Sequence, residues 1–139
     1  MTARYLLDTN VLSEISKPAP DAKVLKRFRR YELHIATASV VWNEVLFGCQ
    51  RLAASKRRDL LLALVDQVLR PSLPILPYDT AAAEWHAQER VRLEKKGTPR
   101  SFIDGQIAAI AHVNGLVLVT ANVKDFRFFD GLAIEDWRS

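Results

Sequence analysis

The sequence predicts a single α/β domain with a central, mostly parallel twisted sheet of four to five strands flanked by helices, an α/β/α sandwich. Two observations predict this fold. Short apolar runs alternate along the chain with longer segments of helical periodicity, and the runs at residues 5–7 and 116–119 contain only aliphatic or aromatic residues. Strands buried on both faces have such continuous runs, and β-α alternation is typical of parallel sheets covered by helices.

The first half of the chain alternates between strands and helices. The predicted elements are a strand over 4–8, a short helix, a basic helix from 21, a strand over 33–37, a long helix from 39 and a helix over 55–69. The short helix ends before Pro18, because proline cannot continue a helix. The helix over 55–69 is apolar on more than one face, which predicts apolar surface left over after it packs on a sheet.

The second half continues the same alternation. The predicted elements are a short strand over 75–76, a helix running to Gly97, a helix from 101, a strand over 116–120, a helical turn near 125 and a last strand over 132–134. Pro71, Pro74 and Pro77 are expected to break the helices around the short strand. Asp79 is a favoured N-cap residue for the helix that follows it.

Length and composition limit the class of protein. A chain of 139 residues that is 49% hydrophobic fits one core, so we assign residues 1–139 to one domain. No signal-like or membrane-spanning apolar run occurs, so we expect a cytoplasmic protein without membrane contact. Cys49 is the single cysteine, which excludes an internal disulfide, and the three histidines show no zinc-ligand spacing with it.

Asp8 is the most informative of four acidic positions, the others being Glu44, Asp104 and Asp125. It ends the first apolar strand and opens a helix. In open α/β sheets, ligands bind just beyond the carboxyl ends of the strands, so a carboxylate at this position is a candidate ligand-binding group. Other acidic residues, Glu89 among them, show no comparable anomaly.

Glu44 is predicted to lie on the apolar face of its helix. Three- and four-residue spacings place it beside Val40, Val41, Phe47 and Gly48. A lone ionised glutamate among such side chains would tend to take up a proton, whereas a divalent cation compensates its charge.

Asp104 and the segment that ends in Asp125 repeat the pattern. Asp104 shares a helix face with Ala108 and Ala111, neither of which can pair with its charge. The second fully apolar strand ends at Thr120 and leads into a polar segment. Polar groups therefore follow a buried strand twice in the chain.

Each acidic position also has a purely structural interpretation. Asp8 is a favoured N-cap, and Ser101 with Asp104 forms an S-x-x-D pattern typical of a capping box. Arg51, two turns after Glu44, is a candidate partner for its charge. Capping and metal binding are compatible, so both interpretations remain open.

The order and spacing of these segments resemble the PIN domain, and within it the bacterial VapC-type, FitB-like toxins of type II toxin-antitoxin pairs. The matching segments are residues 8–14, Glu44, Asp104 with residues 107–109, and residues 120–126. The resemblance spans nearly the whole chain. It implies a PIN-like fold and a Mg²⁺-dependent endoribonuclease that hydrolyses RNA phosphodiester bonds with an activated water, leaving a 5′-phosphate and a 3′-hydroxyl.

The resemblance also implies a ligand set, with one departure. Asp8, Glu44 and Asp104 are its acidic metal ligands, and Mn²⁺ is a possible substitute for Mg²⁺. Many relatives have a further aspartate two residues after the strand-end threonine, where this chain has Asn122. We expect Asp125, one helical turn on, to supply the missing charge, although Asp125 is also an ordinary helix-start residue. Supporting roles are expected for Thr9, Asn10, Thr120 and Asn122.

The charge of the chain favours a polyanionic partner. The net charge is +4, and basic residues cluster at 23–30, 51–58 and 90–100. Beyond RNA, the resemblance implies a VapB-like antitoxin and a homodimer, with higher toxin-antitoxin oligomers also compatible.

Rival functions are weaker matches to the sequence. No phosphate-binding P-loop or G-x-S-x-G hydrolase motif occurs, and Asn10 stands where an aspartate-nucleophile phosphatase needs a second aspartate. The alternative that remains is an inactive nucleic-acid-binding or protein-interaction module whose acidic cluster is vestigial.

Overall fold

The protein was analysed as a computed structural model that describes residues 2–139. Its strands are β1 Tyr5–Leu7, β2 Ile35–Ala38, β3 Ile75–Leu76, β4 Val117–Val119 and β5 Ile134–Glu135. Its α-helices are α1 Thr9–Ile15, α2 Ala22–Arg30, α3 Ser39–Gln50, α4 Lys56–Leu64, α5 Arg70–Ser72, α6 Thr80–Lys95, α7 Phe102–Val113 and α8 Val123–Phe126, with a π-helical turn at Val65–Leu69. The alternation of strands and helices predicted from the sequence is confirmed.

The five strands form one parallel sheet in the order β3-β2-β1-β4-β5. β1 is the central strand, and its last residue, Leu7, pairs with Thr37 of β2 and Val119 of β4. Leu6, Leu7 and Leu118 are fully buried, as expected for strands covered on both faces. The carboxyl ends of β1 and β4 therefore lie side by side at one edge.

The last strand lies further along the chain than predicted. The expected strand over 132–134 is found at Ile134–Glu135, because the backbone N–H groups of Leu118 and Thr120 donate to the carbonyls of Ala133 and Glu135. Leu132 instead packs against the core as a half-buried side chain. Its apolar character reflects packing beyond the sheet.

The prediction that Pro71 breaks the helix over 55–69 is wrong. α4 continues through the π-helical turn into α5, so that Pro71 lies inside the last turn. Proline lacks an N–H and clashes with the carbonyl four residues before it, and the wider π-helical turn accommodates both effects. The helix ends at Leu73, which is extended as expected for a residue before proline. Leu60 and Val68 remain exposed on this segment, as its apolar excess predicts.

α6 and α7 are held at close range by His86 and Gly105. His86 is 2% exposed, and its Nδ1 lies 2.7 Å from the hydroxyl of Tyr78. A Cβ at position 105 would overlap the imidazole of His86, so glycine is what lets α7 approach α6. Among residues 2–139, no helix combines the length and apolar character needed to cross a membrane.

We predict opposite effects of alanine at two helical glycines. Gly105→Ala should lower the free energy of unfolding, because overpacking against His86 costs about 1–3 kcal/mol and exceeds the helix-propensity gain of about 1 kcal/mol. Gly48→Ala in α3, where the added methyl group meets no atom within 4 Å apart from neighbouring residues and backbone of its own helix, should raise stability by up to about 1 kcal/mol. Chemical denaturation measures the free energy of unfolding of both variants. A Gly105→Ala variant that is more stable than the parent protein would contradict the close packing of α6 on α7.

Candidate active site

Asp8 lies buried at the carboxyl end of the central strand, with 5% of its surface exposed. Its Oδ1 accepts a hydrogen bond from the backbone N–H of Thr9 at 2.8 Å, which caps α1. Its Oδ2 accepts a hydrogen bond from the hydroxyl of Thr120, also at 2.8 Å. Because Thr120 directly follows β4, this bond joins the ends of two neighbouring strands.

The environment of Asp8 disfavours its charged form. Burial raises the pKa of the Asp8 carboxyl above its ordinary value, and the hydrogen bonds from Thr120 and Thr9 oppose that rise. The negative charges of Glu44 and Asp104 raise the pKa further. Three acidic residues from distant parts of the sequence therefore act on one another electrostatically.

Asn10 and Thr120 shape the turn that follows β4. The side-chain oxygen of Asn10 accepts from the backbone N–H of Ala121 at 3.1 Å, and its amide group donates to the Thr120 hydroxyl at 3.3 Å. That hydroxyl also accepts from the backbone N–H of Asn122 at 3.0 Å. These bonds fix the direction of the chain between β4 and α8.

Glu44 is only half-buried, so the predicted location on a closed apolar face is wrong. α3 packs on the sheet through the buried Val41 and leaves Phe47 61% exposed. Glu44 lies on α3 three residues from the buried Val41 and three residues from the exposed Phe47. Its carboxylate accepts a hydrogen bond from the Thr9 hydroxyl at 2.9 Å. Arg51 lies over the ring of Phe47 and makes no ion pair with Glu44.

Asp104 combines a capping position with a place in the acidic cluster. Its backbone N–H donates to the hydroxyl of Ser101 at 3.1 Å, which confirms the predicted cap of α7. Burial raises the pKa of Asp104, and a hydrogen bond from Ser101 opposes the rise. The charges of Asp125 and Glu44 raise this pKa further, while Arg100 lowers it.

Asp125 and Asn122 lie at the open side of the cluster. The Asp125 side chain is 54% exposed, and its Oδ1 lies 4.0 Å from Nη1 of Arg100. Asn122 occupies the N-cap position of α8, but its side chain makes no capping hydrogen bond. Both side chains are therefore accessible at the rim.

The acidic cluster, made by Asp8, Glu44, Asp104 and Asp125, is widely spaced. Among residues 2–139, no three carboxylate, imidazole or thiol groups are gathered tightly enough to enclose one ion. The available side-chain donors are oxygen atoms of Asp8, Glu44, Asp104 and Asp125, whose negative charges raise the pKa of Asp8 and Asp104. Mg²⁺ commonly keeps several waters and takes one or two carboxylates from the protein, so this donor set fits a hydrated hard cation.

The PIN domain family model matches residues 5–131. The chain belongs to the PIN-domain family. The tRNA(fMet)-specific endonuclease VapC of Salmonella typhimurium is 34% identical to this PIN domain over 134 residues, covering 96% of this chain and 98% of the relative. Toxin FitB of Neisseria gonorrhoeae is 29% identical over 135 residues, covering 95% and 97% of the two chains.

The fold of this PIN domain is also found in a solved structure. The crystal structure of FitAcB from Neisseria gonorrhoeae superposes with a TM-score of 0.89 and 28% identity, and the match covers 96% of this chain and 97% of that chain. A match of that extent confirms the PIN-like fold expected from the sequence.

One buried acidic residue of this PIN domain escaped prediction. Glu89 on α6 is 6% exposed and accepts two hydrogen bonds from Arg92, each 2.8 Å long. It also accepts a hydrogen bond from the backbone N–H of Asp130 at 2.7 Å. The Arg92 hydrogen bonds hold the pKa of Glu89 below its ordinary value despite burial. The three-residue spacing of Glu89 and Arg92 was the available signal, but it is equally typical of an exposed helix pair.

We predict that Glu44→Gln raises the free energy of unfolding in chelator. Glutamine keeps an acceptor for the Thr9 hydroxyl and removes a charge that opposes ionisation of Asp8. The gain should be about 1 kcal/mol or less, since one pKa unit corresponds to about 1.4 kcal/mol. Thermal or denaturant melting measures it.

The control is Glu84→Gln, which removes the same charge from an exposed position on α6. It should leave stability nearly unchanged. Destabilisation by Glu44→Gln would instead identify Glu44 as a structural hydrogen-bonding or ion-pair residue.

Proposed function

We propose that this PIN domain is a Mg²⁺-dependent endoribonuclease and the toxin of a type II toxin-antitoxin pair. The observation that carries the proposal is the buried Asp8 at the end of the central strand, with Glu44 and Asp104 close enough to raise its pKa. Carboxylates that repel one another favour a cation between them. The names of the relatives, an endonuclease acting on a tRNA and a toxin, agree with this chemistry.

Asp8, Glu44, Asp104 and Asp125 would hold the cation, with Mn²⁺ as a possible substitute for Mg²⁺. A bound cation of this kind supplies charge that polarises the phosphodiester and promotes deprotonation of the attacking water. RNA as the substrate also places the activity in the cytoplasm.

The protein groups have separate parts in this reaction. Asp8 is oriented by Thr9 and Thr120 and cannot rotate without breaking two hydrogen bonds. Asp104 is half-buried and has a raised pKa, which makes its carboxylate a better acceptor for the proton of the attacking water. Thr9 fixes Glu44 in turn, so a single helix start orients two of the carboxylates.

An exposed apolar surface on α3, α4 and the π-helical turn fits the proposed protein partners. Phe47, Leu60 and Val68 are 61%, 71% and 52% exposed. Contiguous exposed apolar patches often mark protein interfaces, whereas single exposed apolar side chains are common on any surface. We propose that an antitoxin helix or a second copy of the chain in a homodimer covers this surface, and that antitoxin contacts and dimer contacts together build higher toxin-antitoxin oligomers.

A second candidate function is an inactive binding module with a vestigial acidic cluster. Asn122, which stands where many relatives have a carboxylate, favours it. Incubation of purified protein with total RNA separates the two functions. The nuclease cleaves RNA when Mg²⁺ is added, whereas the module binds RNA in chelator and never cleaves it.

We predict that Asp8→Asn and Asp104→Asn each abolish Mg²⁺-dependent RNA cleavage while the protein stays folded. Each change removes ligand charge and leaves core volume unaltered. Because even outer partners of metal ligands affect activity by about 10–100-fold, the loss should exceed about 100-fold. Single-turnover cleavage measures the rate, and circular dichroism checks the fold.

The control is Asp66→Asn, whose side chain is 70% exposed on the π-helical turn. It should retain full activity. Full activity in Asp8→Asn or Asp104→Asn would overturn the assignment of the metal site.

We predict that Asp125, and not Asn122, completes the metal site. Asp125→Ala should raise the Mg²⁺ concentration for half-maximal cleavage by about tenfold, in the range typical for outer groups of metal sites. Asn122→Ala should change it little, because a charged oxygen binds Mg²⁺ better than a neutral amide. A raised requirement in Asn122→Ala alone would assign the role to the amide.

A further inference from the structure

A small cavity opens between α6 and the start of α7, next to the acidic cluster. Its volume is about 110 Å³, and its polar lining includes His86, Arg90, Arg100 and Ser101. Ligand pockets for whole small molecules usually measure about 300–1,000 Å³, so this cavity admits a phosphate-sized group only. It adjoins Gly105, the residue after Asp104.

Arg90 supplies a positive charge that the fold does not neutralise. Within the described residues, its guanidinium makes no ion pair or hydrogen bond, and it lies 5.1 Å from the centre of the Phe102 ring. Glu94 also borders the cavity, so the two arginines leave a net positive charge in the lining. An exposed arginine held over an aromatic ring is oriented yet still free to bind an anion.

Arg100 is fixed more firmly and joins the cavity to the cluster. Its Nε donates to the carbonyls of Thr98 at 3.3 Å and Pro99 at 3.0 Å, and its guanidinium lies 4.3 Å from the centre of the Phe128 ring. The separation of 4.0 Å from Asp125 exceeds hydrogen-bond length. Its outer N–H groups are therefore available to a ligand that approaches the carboxylates.

Phe102 is an exposed aromatic residue that contacts two residues lining the cavity, His86 and Arg90. Its side chain is 51% exposed, and its ring centre lies 4.8 Å from that of His86. Unpaired bases stack on aromatic rings and on guanidinium planes, and both surfaces are present here. The Phe102 ring and the Arg90 guanidinium therefore lie beside the cavity, and Arg100, which lines the same cavity, links it to the carboxylate of Asp125.

We propose that this surface, made by Arg90, Arg100 and Phe102, binds one unpaired nucleotide of the RNA next to the scissile phosphate. Arg90 and Arg100 bind its phosphate in the cavity, and its base stacks on Phe102 or on the Arg90 guanidinium. The subsite rests on the proposed ribonuclease function for the identity of its ligand. It orients the strand so that the neighbouring phosphodiester lies over the carboxylates.

The test measures binding of a fluorescent single-stranded RNA to the intact protein in chelator, where no cleavage occurs. Phe102→Ala should weaken binding roughly 5- to 100-fold, the range that loss of one stacked base produces. Phe102→Leu keeps the apolar contact with His86 and should weaken binding as well. Ile103→Ala, a neighbouring position that is 48% exposed, is the matched control and should leave affinity unchanged.

Two further readouts separate a nucleotide subsite from a structural role. The subsite predicts one RNA position at which an abasic nucleotide weakens binding to the parent and leaves binding to Phe102→Ala unaffected. Arg90→Ala should reduce the slope of log affinity against log salt by about 0.7, the value for one phosphate contact on a single strand. Arg4→Ala, which removes an exposed arginine 5.2 Å from the Tyr5 ring centre at the amino end of β1, should not change that slope.

Two outcomes overturn the subsite and leave the ribonuclease proposal standing. In one, Phe102→Ala and Ile103→Ala bind RNA equally well. In the other, Arg90→Ala and Arg4→Ala have the same salt slope, so that Arg90 only shields the Phe102 ring. If the parent protein neither binds nor cleaves RNA, the proposed function fails and the subsite fails with it.

Discussion

The hydrogen bond between Thr120 and Asp8 is the interaction on which the candidate site depends. It joins the ends of β4 and β1 and holds a carboxylate that burial alone would drive towards its neutral form. An unpaired buried charge would destabilise the fold, so the threonine hydroxyl and the cap at Thr9 make this position tolerable. An ionised carboxylate has about four acceptor sites, so the Asp8 oxygens keep acceptor capacity beside these bonds. The hydrogen bonds from Thr9 and Thr120 therefore both stabilise the buried carboxylate of Asp8 and keep it oriented for a cation.

The distribution of charge separates the place of reaction from the place of substrate binding. The chain carries a net charge of +4, although acidic side chains gather at the candidate site, where they raise the pKa of Asp8 and of Asp104. RNA would be repelled by those carboxylates in isolation, and basic side chains at their border offset the repulsion. Arg100 marks that border, because it lies beside Asp125 and also lines the cavity that Arg90 shares.

Features set by local sequence were predictable, and features set by tertiary packing were not. Asp8 and Ser101 cap their helices as their residue types predict, because capping involves only the next few residues. The half-buried state of Glu44 depends on how α3 tilts over the sheet, which helical spacing cannot specify. Glu89 is buried because Arg92 and the Asp130 backbone meet it from another part of the chain. The π-helical turn before Pro71 was likewise not predictable, because the presence of proline predicts that the helix ends there, whereas the helix continues.

Selection among RNA molecules must come from groups outside the carboxylates. A cation held by oxygen ligands acts on a phosphodiester, which is the same at every position of every RNA. Only side chains that reach beyond the RNA backbone can contact a base, and Phe102, two residues before Asp104 in α7, has half of its surface exposed. His86 contacts Gly105 and the Phe102 ring at once, so the packing of α6 on α7 sets the position of the ring relative to the carboxylates. Stacking on an aromatic ring accepts any base, so this packing fixes where an unpaired base would lie and favours single-stranded RNA over a duplex at that position.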